Sequence, residues 1–235
     1  VKKIMHKYVR ETALRAQFHQ KEKLLFNSIP VLIKDPLPEE INIDSVLSQV
    51  EERIPKEFLE NVDGIYIGDF EVFRQKQTNA AYENGALYVS NEQDDLQDMV
   101  DDIVHESAHA LEDQHWQEIY ADGEIEQEFV GKRQRLFHIF KEEGLDIPEE
   151  IMLNVEYSAS FDKLLYEDIG YEALSSFAMG LFVSPYGITS LREYFANAYE
   201  HYFLDEASYV KKISPQVYKK IEEIHILRVY NNEEQ

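Results

Sequence analysis

The 235-residue sequence contains no cysteine, and its lysines and arginines number only 23 against 46 aspartates and glutamates. Without cysteine the chain can form neither a disulfide framework nor a thiolate metal site, so a zinc ion would have to be held by histidine and carboxylate. The formal net charge of −23 disfavours nucleic acid and anionic membranes as main partners and suits a neutral or basic peptide. No apolar run approaches the length of a membrane span.

The first residues carry a charge opposite to that of the rest of the chain. Residues 1–26 hold seven lysines and arginines against two glutamates, a net +5, and their apolar spacing predicts a helix. Ser28–Lys34 is predicted to be a strand that ends at the proline-rich run Asp35–Pro38. We therefore predict a basic N-terminal helix and strand over residues 1–35 and the main domain over residues 36–235. The helix either lies on the acidic body or docks the chain to another protein or an anionic surface.

Extended patterns are few in the main domain. Alternating apolar residues predict a strand over Gly64–Phe70. The pair Asn84 and Gly85 supplies the positive φ angles of a tight turn, which predicts a hairpin over Ala80–Ser90. These segments together indicate a small sheet.

Helical spacing of apolar residues covers most of the remaining chain. The predicted helices lie over Asp44–Arg53, over 115–150 as one or two surface helices, and over 150–182, Ser190–Phe203 and Pro215–Leu227. Asp44 is the predicted N-cap of the first of these helices. Thr189 or Ser190 is the predicted N-cap of the helix over Ser190–Phe203. The run 115–150 also carries a basic patch at Lys132–Arg135. Many helices with one small sheet indicate an α+β fold.

The stretch Asp101–Asp113 carries the strongest functional signal, because His105, Glu106 and His109 form the pattern H-E-x-x-H. On a helix, residues four apart are offset by only about 40°, so both imidazoles leave the same face. Two ring nitrogens on one face can share a Zn²⁺ ion, and Glu106 stands where it can act as general base on a metal-activated water. The motif therefore predicts a zinc site that needs a third protein ligand.

His115 is one candidate for the third ligand. It completes the outline H-E-x-x-H-x-x-x-x-x-H of the metzincin peptidases, which need a glycine three residues after the second histidine to break the helix. This chain has Glu112 at that position. If the helix continues, His115 lies about 240° around from His109, on another face.

Glu193 is the other candidate. A glutamate from a second, downstream helix is the ligand pattern of gluzincins, and one oxygen beside two nitrogens leaves the fourth zinc position for water. Glu193 stands between Leu191 and Tyr194, among residues that favour burial. A carboxylate in such a place needs a partner, and a cation is a good one.

Tyr186 stands seven residues before Glu193, which opens the run Glu-Tyr-Phe-Ala-Asn-Ala-Tyr that ends at Tyr199. This segment resembles the metal-binding segment of the anthrax lethal factor catalytic domain and its relatives, which include secreted bacterial Pro-Pro endopeptidases. In that family a tyrosine likewise precedes the ligand glutamate by seven residues. The resemblance also covers H-E-S-A-H and the closing segment Ser214–Tyr218, but neither the first 60 or so residues nor the segment 115–170.

The resemblance implies a zincin-like fold with the H-E-x-x-H helix at its active site. It implies a Zn²⁺ ion bound by His105, His109 and Glu193. It also implies that Glu106 is the general base and that the phenol of Tyr186 stabilises the oxyanion.

One position departs from the family pattern. Where the family has a glutamate four residues after the ligand glutamate, able to orient a ligating histidine, this chain has Asn197. An amide oxygen can still accept a hydrogen bond from an imidazole ring, but without charge it raises the basicity of the ligand less. We therefore expect Asn197 to weaken zinc binding or to shift the activity profile.

These observations predict a zinc metalloendopeptidase, related to toxin proteases, that cleaves a protein substrate held in extended form near residues 80–90. Two alternatives stay open: a catalytically weak or inactive metallopeptidase-like module that binds a partner, and a metzincin-type peptidase that uses His115. We expect no nucleic-acid partner and no membrane span. The sequence leaves two compartments open: secretion, with the signal outside this sequence, or the cytoplasm, including association with a mobile-element particle.

Overall fold

The computed structural model describes residues 22–76 and 78–233 as an α+β protein, as predicted. The chain forms two compact units, of which the first ends at Ser107 and the second begins at Ala108. In the described residues, the first unit contains a mixed five-stranded sheet and the second is built mainly of helices. None of the helices described is both long and apolar enough to cross a lipid bilayer.

The sheet of the first unit contains three parallel strands flanked by two antiparallel ones. Its strands are β1 Glu22–Leu25, β2 Ile29–Ile33, β3 Gly64–Ile67, β4 Ala80–Glu83 and β5 Ala86–Val89. They are ordered β1-β2-β3-β5-β4; β1 and β4 run antiparallel to their neighbours, and the three inner strands are parallel. Val31, Ile65 and Leu87 are register partners, and all three are fully buried. They form an apolar row across the sheet, which stabilises it by burial.

The predicted hairpin is confirmed as β4 and β5. Asn84 and Gly85 have φ angles of 52° and 84°, which is the left-handed backbone of a two-residue hairpin turn. A Cβ on Gly85 would also lie 2.8 Å from Asp63 Oδ2, so glycine is needed there for space as well. The strands predicted over Ser28–Lys34 and Gly64–Phe70 are also confirmed, in shorter form.

The predicted N-terminal helix is wrong where it can be compared with the structure. Glu22–Leu25 form strand β1, and residues 1–21 lie outside the described residues. A strand forms because Lys23, Leu24 and Leu25 pair with β2 across a tight turn, a contact that helical spacing does not reveal. The predicted boundary near residue 35 stays a prediction.

The helices occupy most of the segments predicted for them. They are α1 Ile43–Arg53, α2 Glu71–Lys76, α3 Leu96–Tyr120, α4 Glu124–Glu142, α5 Glu149–Met152, α6 Ala159–Lys163, α7 Tyr171–Ala178, α8 Leu191–Leu204, α9 Ala207–Ile213 and α10 Pro215–Glu233. A π-helical turn, Leu164–Ile169, follows α6, and a 3₁₀ turn, Pro185–Ile188, precedes α8.

The N-cap of α1 is Asn42 rather than the predicted Asp44. The side-chain oxygen of Asn42 accepts hydrogen bonds from the backbone N–H groups of Asp44 and Ser45, at 2.9 and 3.4 Å. The N-cap therefore lies two residues earlier in the chain than predicted. Asp44 instead forms an ion pair with Lys23 of β1, with 2.6 Å between Nζ and Oδ1.

The basic patch predicted on the surface of α4 is wrong for two of its members. Arg133 is only 1% exposed and Lys132 is 9% exposed. The guanidinium of Arg133 donates to four backbone carbonyls, at 2.7–3.2 Å, those of Met152, Asn154, Ile188 and Thr189. Rings of Phe129 and Phe161 lie 5.0 and 4.3 Å from it. The cation is buried because these groups replace the water it loses.

Candidate metal site

Helix α3 presents two histidines from one face. Asp95 starts the helix, since its Oδ1 accepts from the backbone N–H groups of Gln97 and Asp98 at 2.6 and 3.1 Å. The buried face of the helix includes Val104, Ala108 and Leu111, which are all 0% exposed. His105 and His109, four residues apart, therefore project from a helix whose rotation is fixed by the core.

Helix α8 supplies the carboxylate. Its predicted N-cap Ser190 is confirmed, because Ser190 Oγ accepts from the backbone N–H of Glu193 at 3.2 Å. Glu193 thus lies in the first helical turn, where the helix dipole stabilises negative charge. Tyr194 and Phe195 are buried on the inner side of α8, and the Glu193 side chain is 17% exposed.

His105, His109 and Glu193 come together as a group that could hold a metal ion. One potential ligand atom from each residue lies within 4.8 Å of the others. His109 Nε2 and Glu193 Oε1 are 3.7 Å apart, too far for a good hydrogen bond. Two ligand atoms of one tetrahedral zinc ion are separated by about 3.4 Å, given bonds of about 2.1 Å. The donor types therefore suit a metal ion, and the His109–Glu193 distance is close to that of two ligands of one ion.

The tautomer of His109 also suits a metal ligand. Its Nδ1 lies 2.6 Å from Oε2 of Glu112, whose side chain is fully buried. A carboxylate at this distance holds the ring proton on Nδ1, which leaves the lone pair of Nε2 facing Glu193. In the sequence, Glu112 drew notice only because it stands where the metzincins have a helix-breaking glycine. Its spacing of three residues from His109 on one helix face could have indicated the contact.

Glu106 is held against the edge strand of the sheet. Its Oε2 accepts a hydrogen bond from the backbone N–H of Tyr82 in β4 at 2.6 Å, and the residue is 8% exposed. This hydrogen bond fixes the position of one carboxyl oxygen of Glu106 beside the edge strand β4.

Tyr186 lies in the 3₁₀ turn before α8. Its backbone N–H donates to Ser184 Oγ at 3.3 Å, and its carbonyl accepts from Thr189 Oγ1 at 2.9 Å. The carbonyls of Ile188 and Thr189 are bound by Arg133, so the end of this turn is fixed from inside. The Tyr186 residue itself is 39% exposed.

Asn197 is used differently from what the resemblance implied. It is 5% exposed, and its Oδ1 accepts from Ser184 Oγ at 3.0 Å. A Cβ on Gly187 would come within 3.2 Å of the same oxygen. Asn197 therefore holds the turn that carries Tyr186, while the carboxylate on a ring nitrogen of His109 comes from Glu112.

His115, the alternative third ligand, lies outside the group of three. Helix α3 has non-helical angles at this residue (φ −116°, ψ 27°), three positions beyond Glu112. Its Nδ1 is 3.7 Å from Oε1 of Glu118, an exposed residue on the next turn. The structure thus assembles the donor set that contains Glu193.

A segment that includes Val155, Tyr157 and Asp162 lies beside the first turn of α8. The carbonyl of Val155 accepts from the backbone N–H of Leu191 at 2.8 Å, which fixes this segment beside the first turn of α8. Tyr157 donates from its hydroxyl to Asp162 Oδ2 at 3.1 Å. Burial raises the pKa of Asp162, and the nearby charge of Glu193 raises it further.

Comparisons with protein-family models, curated proteins and solved structures found no match to this chain. The function must therefore be inferred from the geometry of the site and from the sequence motifs.

Proposed function

We propose that the chain is a zinc metalloendopeptidase of the gluzincin type, with a zincin-like fold similar to that of the lethal factor family. The observation that carries the proposal is the convergence of His105, His109 and Glu193 within 4.8 Å. Two imidazole nitrogens and one carboxylate oxygen are the ligand set of many hydrolytic zinc sites.

Residues of the chain supply the remaining chemistry. A bound zinc ion would polarise the scissile carbonyl and make a water molecule more acidic. Glu106 accepts the proton of that water, from a position fixed by the Tyr82 N–H. Tyr186 donates a hydrogen bond to the carbonyl oxygen as negative charge develops on it, and the bound turn Pro185–Ile188 limits the reorganisation needed.

The edge strand β4 is the proposed binding position for an extended substrate. Among the strands of the described residues it pairs with β5 alone, so its other side is an edge of that sheet. Tyr82 of this strand is also the residue that binds Glu106, so the edge and the proposed base are adjacent. A peptide that adds to this edge would gain main-chain hydrogen bonds, and the acidic chain favours a neutral or basic one.

Zinc content and proteolysis test the proposal in three variants. We expect the wild type to bind zinc stoichiometrically and Glu193→Ala to lose it. Glu106→Gln should keep zinc but lower kcat/KM by about 10²- to 10⁴-fold on a peptide selected from a library, because the general base is lost. Glu118→Gln, an exposed change on the same helix, is the matched control and should keep both properties.

Each alternative has its own signature in this experiment. A sequence-dependent cut that Glu106→Gln abolishes excludes a purely binding role. A fourth variant, His115→Ala, tests the metzincin alternative, which would be favoured if this variant lost zinc and Glu193→Ala kept it. Absence of metal from the purified protein, with no effect of added zinc on its melting temperature, would contradict the proposal.

A further inference from the structure

The buried carboxylate of Glu112 contacts the proposed metal ligand His109. We propose that Glu112 is the positioning residue that fixes His109 for metal binding, a role that the resemblance assigned to position 197. The inference rests on the proposed metal site. It concerns how this chain builds that site, because the residue that takes the position on α8 is an asparagine bound to Ser184.

Glu112 determines which ring nitrogen of His109 can bind a metal. With 2.6 Å between Nδ1 and Oε2, the ring donates and the carboxylate accepts. The other ring nitrogen, Nε2, then carries no proton and lies 3.7 Å from Oε1 of Glu193. Without Glu112, the neutral ring could place its proton on either nitrogen, and only one of those tautomers binds metal at Nε2.

Two further donors bind the buried carboxylate of Glu112. The hydroxyl of Tyr120 donates to Oε1, and Nε of Arg192 lies 3.3 Å from Oε2. Burial raises the pKa of Tyr120 well above its ordinary value, and the Glu112 charge raises it further, so Tyr120 remains a donor. The carboxylate is therefore satisfied by three donors on two helices.

The contacts of Glu112 also connect the helical turns that carry His109 and Glu193. Glu112 lies one turn after His109 on α3, and Arg192 immediately precedes Glu193 on α8. The contact between Glu112 and Arg192 therefore links the helix turn of a nitrogen ligand to that of the oxygen ligand. Loss of Glu112 should disturb the orientation of His109 and weaken this link at the same time.

Metal titration distinguishes positioning from a purely structural role. Wild type, Glu112→Gln, Asn197→Ala and the control Glu118→Gln are prepared metal-free and titrated with Zn²⁺ and with Co²⁺ as a spectroscopic probe. We expect Glu112→Gln to lower the affinity for both ions about 10- to 100-fold and to shift the visible absorption bands of bound Co²⁺. Asn197→Ala and Glu118→Gln should retain the wild-type spectrum. Glu112→Asp, which keeps the charge, should recover part of the affinity.

The outcomes separate this inference from the proposed function. If the wild type binds and cleaves but Glu112→Gln keeps its affinity and Co²⁺ spectrum, only the positioning role is overturned. A larger loss of affinity in Asn197→Ala than in Glu112→Gln would also overturn it. If the wild type binds no metal, both proposals fail. Should Glu112→Gln not fold, wild-type affinity and an unchanged Co²⁺ spectrum in Glu112→Asp overturn the inference, and weakened binding supports it.

Discussion

Two buried charges in the helical unit show two different uses of a charged side chain. Glu112 is fully buried and is bound by an imidazole, a phenol and a guanidinium. Arg133 is 1% exposed and is bound by backbone carbonyls and aromatic rings. Both have lost their water, so both need close partners to be tolerated.

The nature of the partners separates the two regions. Backbone carbonyls cannot change protonation, so Arg133 can only fix the path of the chain, including Ile188 and Thr189 just after Tyr186. Glu112 instead contacts His109, whose second ring nitrogen faces another potential ligand. We therefore expect the Arg133 region to govern the stability of the fold and the Glu112 region to govern metal affinity.

Removal of Arg133 should give the largest effect on stability. Arg133→Ala is expected to lower the free energy of unfolding by about 3–5 kcal/mol, because it leaves several buried carbonyls without a donor. Arg135→Ala, at an exposed position on the same helix, should change it by less than about 0.5 kcal/mol. Urea unfolding of the metal-free proteins measures both. If folded Arg133→Ala loses as much metal affinity as Glu112→Gln, the Arg133 region and the Glu112 region do not have separate roles.

Lys132 should produce an intermediate, pH-dependent effect. Burial lowers its pKa from 10.5 to about 8. Between these values the unfolded chain binds a proton that the folded protein lacks, so the lysine destabilises the fold below pH 8, and the penalty disappears as the pH rises towards 10.5.

The matched variant is Lys132→Met, which is neutral at every pH. We expect the unfolding free energy of the wild type minus that of Lys132→Met to rise by on the order of 2 kcal/mol between about pH 8 and pH 10. Urea unfolding at several pH values measures this difference. A constant or falling difference would show that burial does not lower the pKa of Lys132. A buried charge in the Arg133 region would then cost less free energy than its burial indicates.

The N-cap of α8 should give the smallest effect. Ser190→Ala removes the acceptor for the backbone N–H of Glu193 and should cost about 1 kcal/mol of stability. Thermal unfolding with and without zinc measures it. If the cap only starts the helix, the stability loss is the same in both conditions. A larger loss of stability in the presence of zinc would show that Ser190 also positions Glu193. Ser190 would then belong with the Glu112 region, which governs metal affinity.

Several features of the fold follow from short stretches of sequence. The hairpin turn at Asn84 and Gly85, the cap at Ser190 and the shared helix face of His105 and His109 were all predicted. Each depends on backbone angles or hydrogen bonds among residues that are close in the chain. The N-cap of α1 was predicted wrongly as Asp44, because Asn42, two residues earlier, is an equally suitable cap.

The candidate site was predicted only in part. The motif and the resemblance pointed to His105, His109 and Glu193, which the structure brings together, while zinc binding and proteolysis remain proposals. Glu112 as the partner of His109 was missed, and Asn197 was expected to act on a histidine instead. Helical periodicity allows the contact between Glu112 and His109, which are three residues apart on α3. It does not show which of two suitable side chains contacts the ring, because that depends on the packing of α3 against its neighbours.

By itself, the sequence determined the α+β class, the positions of most helices and the absence of any thiolate ligand. Only the tertiary structure decided which charges are buried. Lys132 and Arg133 resemble a surface patch in sequence, yet they are buried because Met152, Ile188 and Ile213 offer carbonyls from distant segments. The physical reason is that local structure depends on neighbouring residues, whereas a charge can leave water only where the folded chain supplies partners for it.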